Sequence, residues 1–182
     1  MNTIAEIDIK HLKMLRQNVS DFISSSGDRY DRSGLLLLDI APQDHEGARP
    51  HFPLSTVETL DINPASGATY IADLCKNNAA IVPPDCFDLI VCTEVLEHTL
   101  NPFSAVTEMR RILKPCGIIL VSTPFNFRIH GPLPDCWRFT EHGLRSLFSE
   151  ENGFEILDLT PLEDANRFLM PIHYTLVTKR IS

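Results

Sequence analysis

The sequence predicts an α/β protein whose mainly parallel sheet carries an antiparallel hairpin at its C-terminal edge. Short, mostly apolar runs are typical of strands buried on both faces, and the strongest are Leu35–Ile40, Phe87–Thr93 and Gly117–Thr123. Crossover segments separate these runs, which favours parallel pairing. Two late strand candidates, Phe154–Leu159 and His173–Arg180, follow one another after the last helix and predict the antiparallel pair.

Three helices and two further strands complete the predicted order. The apolar spacing of residues 4–23 predicts an amphipathic helix, which Ser24-Ser25-Ser26-Gly27 ends. Asn101 as N-cap and Pro102 in the first position begin a second helix, and Thr140 begins a short third one. The buried positions expected for these two helices are Phe103, Val106, Ile112, Leu113, Leu144, Leu147 and Phe148, and the further strands are Val57–Ile62 and a short one within Ala68–Asp73.

Two connections leave little room for regular crossover helices. The 16 residues between Ile40 and Val57 include three prolines. Residues 74–86 end in Pro83-Pro84, so only one or two helical turns fit there. We therefore expect reduced helices after the first and third strands.

Composition narrows the class of protein. The chain has 182 residues, 43% of them hydrophobic and 22% charged, which is typical of a globular domain. Because 24 acidic residues stand against 16 basic ones, the net charge is −8, which argues against nucleic acid as a partner. No repeat or linker divides the chain, so residues 1–182 are expected to form a single domain, with an N-terminal helix over about 4–24 and a core over about 35–182.

The chain shows no sign of export or membrane insertion. No apolar run is long enough to span a bilayer, and Glu6 and Asp8 stand where a secretory signal would be basic. The five cysteines form no Cys-x-x-Cys pair, so structural zinc is not expected. The sequence thus predicts a cytoplasmic protein with no membrane span. It leaves the oligomeric state open, with a homodimer as one option.

Acidic residues stand at the ends of four predicted strands. They are Asp39, Asp61, Asp73 and Glu94. Ligands of an open parallel sheet bind outside the carboxyl ends of its strands, and a carboxylate about 20 residues beyond the first strand turn suits a ribose diol. The four carboxylates together favour a nucleoside-like ligand.

Three motifs make the family resemblance specific. They are FDLIVCTEVLEH from Phe87 to His98, MRRILKPCG from Met109 to Gly117, and ILVSTP from Ile119 to Pro124. The chain in these stretches resembles the class I S-adenosylmethionine-dependent methyltransferases. The resemblance implies a Rossmann-like sheet, S-adenosylmethionine as cofactor and methyl transfer to a small or medium-sized acceptor.

The resemblance also implies roles for individual residues. It places Asp39 beside the methionine part of the cofactor, Asp61 with Ile62 at the ribose, Asp73 and Leu74 around adenine, and Thr93 and Glu94 along the floor of the site. Ala41 and Gln43 stand where the family has the glycines of its first motif. Glycine lets a backbone approach its ligand closely, so this departure bears on cofactor binding. Gln43, Asp44 or His45 would compensate by contacting the amino or carboxylate group of methionine.

A long Pro- and Gly-rich loop after the fifth strand concentrates the candidate residues on the acceptor side. His130 is the first candidate for the base and His98 the second, because histidine accepts a proton near neutral pH. Asp135 would orient the histidine or act as the base itself. Phe127, Trp137 and Arg138 are expected to bind the acceptor, with Arg138 holding an acidic one. The alternative is a structural lid in which Arg138 pairs with Asp135 and Trp137 plugs the core.

The sequence leaves several hypotheses about the protein's function open. The loop pattern is similar to one in small bacterial methyltransferases, some associated with glycan or cell-envelope pathways. A degenerate domain that binds cofactor or a partner without turnover is the alternative to the enzyme, and an enzyme that modifies protein or RNA is a third. No ligand spacing supports a metal centre, so none is predicted; the alternative is convergence of Glu94, His98, His130 and Asp135.

Overall fold

A computed structural model of the chain describes residues 5–42, 47–165 and 169–181. In these residues, seven strands form one sheet in the order β3-β2-β1-β4-β5-β7-β6. The helices are α1 (Glu6–Tyr30), α2 (Pro102–Ile112) and α3 (Glu141–Leu147), and the strands are β1 (Leu36–Ile40), β2 (Thr56–Asp61), β3 (Tyr70–Ile71), β4 (Phe87–Thr93), β5 (Leu113–Pro124), β6 (Phe154–Leu162) and β7 (His173–Arg180). Short 3₁₀ turns cover Arg49–His51, Leu96–His98 and Glu150–Asn152.

The sheet confirms the predicted mixture of strand directions. Strands β1 to β5 pair in parallel, whereas β7 pairs antiparallel with both β5 and β6. The chain runs outward from β1 to β2 and β3, then crosses back to place β4 on the other side of β1. This reversal lies between β1 and β4, which is the point where ligands of doubly wound sheets bind.

The helices cover the two faces of the sheet separately. On one face, α1 packs Leu15, Val19 and Ile23 against strand residues such as Leu37 and Leu89. On the other face, residues of α2 and α3 pack against the alternate strand positions. Because successive strand residues point to opposite faces, the central strands are buried on both sides, as their apolar runs predicted. Within the described ranges, no helix is long and apolar enough to cross a membrane.

The N-terminal helix is longer than its sequence predicts. The Ser24–Gly27 stretch was expected to end it, but α1 continues to Tyr30, and Ser26 and Gly27 are buried. A Cβ atom on Gly27 would lie 2.2 Å from the backbone oxygen of His51. The glycine therefore permits close contact with the chain after β1, and its role depends on tertiary packing that helix propensity does not report.

The connections after β1 and β3 confirm the prediction of reduced helices. Among the residues described between β1 and β2, the only helical turn is Arg49–His51. The segment between β3 and β4 consists of turns, so the one or two helical turns allowed for residues 74–86 do not form. Phe103 was also predicted to be buried but is 58% exposed. The buried stripe of α2 instead centres on Ala105, Met109 and Ile112.

A buried carboxylate anchors the helix-free connection before β4. Glu108 of α2 accepts hydrogen bonds from the backbone N–H of Asn78 at 3.0 Å and from Arg111 at 2.7 and 2.8 Å. Arg111 also donates to the carbonyl of Val82 at 2.9 Å. Burial opposes ionisation of this carboxyl, but the hydrogen bonds from Arg111 and Asn78 hold the pKa of Glu108 below its ordinary value.

We expect Glu108→Gln to lower the free energy of unfolding by about 2 kcal/mol near neutral pH, because hydrogen bonds to a charged group are lost. Since the folded-state pKa is depressed, this stabilisation is complete above about pH 4.3 and is lost as the pH falls through the folded-state pKa. Urea unfolding at several pH values measures the difference. Glu151→Gln, at an exposed position, is the control. A deficit that stays constant below pH 4 would contradict the prediction.

Candidate functional site

Two buried carboxylates lie at the carboxyl edge of the parallel strands. Asp39 accepts a hydrogen bond from the backbone N–H of Ala48 at 2.7 Å, and Asp61 accepts one from Asn63 at 2.7 Å. Both residues are at most 4% exposed. The parallel register, in which Ile40 lies beside Leu60, brings the ends of β1 and β2 to one edge. Each carboxylate therefore holds the turn that follows its strand, at the carboxyl edge of the sheet.

The outer part of this edge is formed by the residues after β2 and β3. Asp73 is partly exposed, accepts a hydrogen bond from the backbone N–H of Cys75 at 2.9 Å and lies 3.5 Å from the ammonium of Lys76. Leu74 beside it is buried, whereas Ile62 is 67% exposed. The outer edge thus offers an apolar surface next to a carboxylate.

Sharp backbone turns close β1 and β4 on either side of the reversal point. Ala41 has φ = 53° and Glu94 has φ = 56°, both in the left-handed region that favours glycine. The Ala41 N–H donates to the carbonyl of Leu60 at 2.8 Å, and the Glu94 N–H donates to that of Ser122 at 3.0 Å. Gln43, like the alternatives Asp44 and His45, lies outside the described residues.

Gly47 is a site residue that the sequence analysis did not select. It has φ = 61°, and a Cβ there would lie 2.3 Å from the Oδ2 atom of Asp39 and 2.8 Å from Pro42. Glycine at this position therefore lets the chain close over Asp39. The signal in the sequence was a glycine a few residues after an acidic strand end, displaced from the positions of the family motif.

Glu94 is held by His173, the first residue of β7, which the sequence analysis did not select as a site residue. The Glu94 Oε1 atom lies 2.6 Å from His173 Nε2 and accepts a hydrogen bond from the Ser122 hydroxyl at 2.8 Å. The amide of Asn18, from α1, lies 2.8 Å from the other ring nitrogen of His173. Burial opposes ionisation, but the charge and hydrogen bond of His173 and the Ser122 hydroxyl lower the pKa of Glu94. β7 runs antiparallel to β5, and its first residue, His173, pairs with Pro124 at the end of β5. His173 therefore lies at the carboxyl edge.

The loop after β5, residues 125–140, which we call the strap, is organised by one ion pair. The guanidinium of Arg138 makes hydrogen bonds of 2.5 and 2.7 Å to the two carboxylate oxygens of Asp135. Asp135 also accepts the backbone N–H of His130 at 2.9 Å and lies 3.1 Å from its Nδ1 atom. The hydrogen bonds from Arg138 outweigh burial and lower the pKa of Asp135 to about 2. Asp135 is therefore ionised at neutral pH, which suits orienting His130 better than accepting a proton.

The remaining contacts of Arg138 hold the strap together. Its guanidinium also donates to the backbone carbonyls of Arg128 at 2.9 Å and Trp137 at 2.7 Å. The pair that the lid interpretation expects, Arg138 with Asp135, is present. The indole of Trp137 is 40% exposed and donates to the carbonyl of Thr99 at 2.8 Å. Arg138 thus serves the strap itself, and Trp137 lies where it meets the loop after β4.

The strap brings His130 onto the residues that follow β4. The rings of His98 and His130 are 4.9 Å apart, edge to face, and the ring of Phe127 lies 5.3 Å from that of His130. The carboxylate of Glu97 lies 3.8 Å from His98 Nε2 and 4.0 Å from His130 Nε2. The structure therefore brings the three residues selected for catalysis, His98, His130 and Asp135, into one cluster.

Glu97 lies at the base of this cluster and was missed by the sequence analysis. Its side chain is fully buried, and burial together with the charge of Glu94 raises its pKa well above the ordinary value. Its backbone carbonyl accepts the N–H groups of Cys136 and Trp137 at 2.7 and 3.1 Å. The available signal was the acidic residue in VLEH, next to a histidine already selected.

The sequence predicts no metal site, but three side chains able to bind a metal lie close together in the structure. Among the residues that the structure describes, Glu97, His98 and His130 offer ligand atoms within 4.8 Å of one another. Along the chain, Thr93 at the end of β4 and Glu94 come between the carboxylates of β1 and β2 and this group. The edge therefore has two parts, an acidic one at β1 to β3 and a histidine-containing one under the strap.

Comparison with known proteins matches most of the chain to one family. A family model described as a methyltransferase domain matches residues 16–159. A ubiquinone biosynthesis O-methyltransferase of Proteus mirabilis is 29% identical over 122 residues, which cover 65% of this chain and 43% of that protein. The chain thus spans less than half the length of that curated relative.

Solved structures with the same fold are more distant in sequence. A putative S-adenosylmethionine-dependent methyltransferase from Listeria monocytogenes has a TM-score of 0.66 at 11% identity, over 90% of this chain and all of that one. The [4+2]-cyclase SpnF has a TM-score of 0.65 at 16% identity, over 91% of this chain and 82% of that one. At such identities the likeness concerns the fold, which by itself does not specify the reaction.

Proposed function

Because this chain belongs to the methyltransferase-domain family, we propose that it transfers a methyl group from S-adenosylmethionine to a small or medium-sized acceptor. The observation that carries the proposal is the pair of buried carboxylates, Asp39 and Asp61, at the carboxyl edge beside the reversal point. The names of the Proteus mirabilis relative and the Listeria monocytogenes neighbour support it.

The acidic part of the edge fits the proposed cofactor. When bound, S-adenosylmethionine supplies an electrophilic methyl group on a positively charged sulfur. Asp61 would accept hydrogen bonds from the ribose hydroxyls, and Asp39 would hold the turn beside the methionine part. Asp73 and Leu74 would contact adenine, the first by hydrogen bonding and the second through its apolar side chain. A row of carboxylates also suits a ligand that carries a sulfonium and an ammonium group.

The cluster under the strap would prepare the acceptor. A hydroxyl or amine attacks a methyl group better once its proton is removed, and His130 and His98 are placed to promote that loss. Asp135 is a positioning residue, because it contacts His130 at Nδ1 and is itself held by Arg138. Phe127 and Trp137 would shape the acceptor site and exclude water, which aligns the reacting groups.

A second function, binding without turnover, is favoured by one observation. Ala41 adopts φ = 53° at the position of the first motif glycine, where a side chain is strained and narrows the approach to the backbone. The likeness to the SpnF cyclase is consistent with a family fold whose chemistry has changed. A glycan- or envelope-related acceptor and a homodimer also stay predictions.

Calorimetry and product analysis separate the two functions. We expect calorimetry to show binding of both S-adenosylmethionine and S-adenosylhomocysteine. We also expect mass spectrometry to detect a methylated product with at least one member of a panel of hydroxyl and amine acceptors. Binding without product across the panel would favour the second function. Absence of binding by both nucleosides at millimolar concentration would overturn the assignment of the cofactor.

Replacing Ala41 by glycine is expected to stabilise the protein and to tighten cofactor binding. Relief of the left-handed strain is worth about 1 kcal/mol, which raises the Tm by about 2–4 °C in a chain of this size. Differential scanning calorimetry measures the change. Ala79→Gly, at an exposed position with ordinary φ, is the control and is expected to lower the Tm. A lower Tm for Ala41→Gly would show that the left-handed turn is not strained.

A further inference from the structure

The buried carboxylate of Glu97 lacks the partners that such a group needs. Both of its oxygens are inaccessible, and neither has a hydrogen-bond partner among the described residues. Its side chain is 0% exposed, so bulk solvent does not reach it. A buried carboxyl group is costly unless it is paired or coordinates a cation. Two imidazole nitrogens lie near its Oε1 atom, the Nε2 of His98 at 3.8 Å and the Nε2 of His130 at 4.0 Å.

Each of the two histidines has Glu97 on its Nε2 side and a hydrogen-bond acceptor at its Nδ1 atom. The Nδ1 atom of His98 lies 3.0 Å from the carbonyl oxygen of Pro134. The Nδ1 atom of His130 lies 3.1 Å from the carboxylate of Asp135. Because both of these partners accept hydrogen bonds, they favour the neutral tautomer with the proton on Nδ1, which leaves the Nε2 lone pair available to a metal ion. Histidines that bind metals are held in this way, by an oxygen at the second ring nitrogen.

We propose that Glu97, His98 and His130 bind a divalent transition-metal ion. Their ligand atoms lie within 4.8 Å of one another. Ligand atoms around a tetrahedral ion with bonds of about 2.0–2.2 Å are about 3.3–3.6 Å apart, so these separations would close by up to about 1.5 Å when the ion binds. Two imidazoles and one carboxylate favour zinc, cobalt, iron or manganese over magnesium and calcium, which prefer oxygen ligands.

The ion would act on the acceptor, and this step rests on the proposed methyl transfer. Three protein ligands leave coordination positions open, and only the histidines are exposed, with 24% of the His130 and 15% of the His98 side-chain surface accessible. An acceptor hydroxyl entering from that side coordinates the ion, which stabilises the oxyanion left when the hydroxyl proton passes to water. The histidines then promote proton loss through the ion, and the substrate class is that of hydroxyl acceptors methylated on oxygen.

Metal binding is tested without cofactor or acceptor. The full chain is stripped with a chelator and titrated with Zn²⁺ by calorimetry and with Co²⁺ by absorption spectroscopy. We expect one ion per chain and cobalt bands typical of nitrogen and oxygen ligands. Glu97→Gln and His98→Ala are each expected to weaken binding at least tenfold, whereas the exposed-site variant His142→Ala leaves it unchanged.

The controls keep the proposal falsifiable. Glu97→Gln preserves the volume of the side chain, and circular dichroism checks that each variant is folded. If Glu97→Gln fails to fold, His98→Ala serves in its place, because its ring is partly exposed. No binding to the folded wild-type chain, or binding that neither variant weakens, would overturn the proposal. If S-adenosylmethionine binds but the ion does not, the proposed function stands and the metal site falls; the converse result supports the metal site alone.

Discussion

Replacement of Asp61 by alanine is expected to weaken binding of S-adenosylmethionine about 100-fold. The carboxylate is 2% exposed and ends β2 at the edge where the ribose would lie. Hydrogen bonds to a charged acceptor are worth about 1.5–3 kcal/mol, and 1.4 kcal/mol corresponds to a tenfold change in affinity. Asp61→Asn, which retains an acceptor oxygen and the bond from the Asn63 N–H, should lose less.

Isothermal titration calorimetry with S-adenosylmethionine gives the affinities of these variants directly. Asp158→Ala is the matched control, because Asp158 is an exposed aspartate of β6, at the opposite side of the sheet from β2. Thermal unfolding of all three variants shows whether a weaker affinity follows from a less stable fold. An unchanged affinity in folded Asp61→Ala would remove this residue from the cofactor site.

Replacement of His130 by alanine is expected to lower the rate of methyl transfer by about 10²–10⁴, the range that loss of assisted proton removal produces. The ring lies 4.9 Å from that of His98 and is oriented by Asp135. Because His130 belongs to the strap and contacts His98 and Glu97, with the cofactor proposed at the carboxylates of β1 and β2, cofactor affinity should change less than twofold. The effect is therefore expected in kcat.

Single-turnover kinetics with a methylated product measured by mass spectrometry tests this expectation. His142→Ala is the control, because His142 is exposed on α3. Asp135→Asn should change the rate in the same direction as His130→Ala, since it removes the charge that orients the ring. Turnover by folded His130→Ala at the wild-type rate would exclude His130 from the reaction.

Most strands were predicted well because the burial of a strand on both faces is visible as a run of apolar residues within the strand itself. β4 and β7 have the predicted bounds, and β1 and β2 differ by one residue at their ends. A strand covered by helices on both faces needs a run of apolar residues, and such a run is visible without knowing its neighbours. The N-cap Asn101 was equally local, since its side chain accepts the Ser104 N–H as expected of a cap.

The errors arose where contacts come from distant parts of the chain. Gly27 was taken as a helix end, but it is buried within α1 because the backbone at His51 approaches it. Phe103 was expected to be buried but is exposed, because the elements that pack against α2 decide which of its apolar residues are covered. Glu97 is held by backbone hydrogen bonds from the strap. His173 lies at the site because β7 starts beside the end of β5.

The amino-acid sequence by itself determined the class of fold, the acidic edge and the family. Those features depend on periodicity, strand ends and motif spacing within short stretches. Only the tertiary structure decided which side chains meet under the strap. Residues 94–98 and 125–140 come together only on folding, and this brings His130 close to Glu97 and His98. The same packing buries the Glu97 carboxylate without a hydrogen-bond partner among the described residues. No local sequence pattern contains either contact, because the residues involved are far apart in the chain.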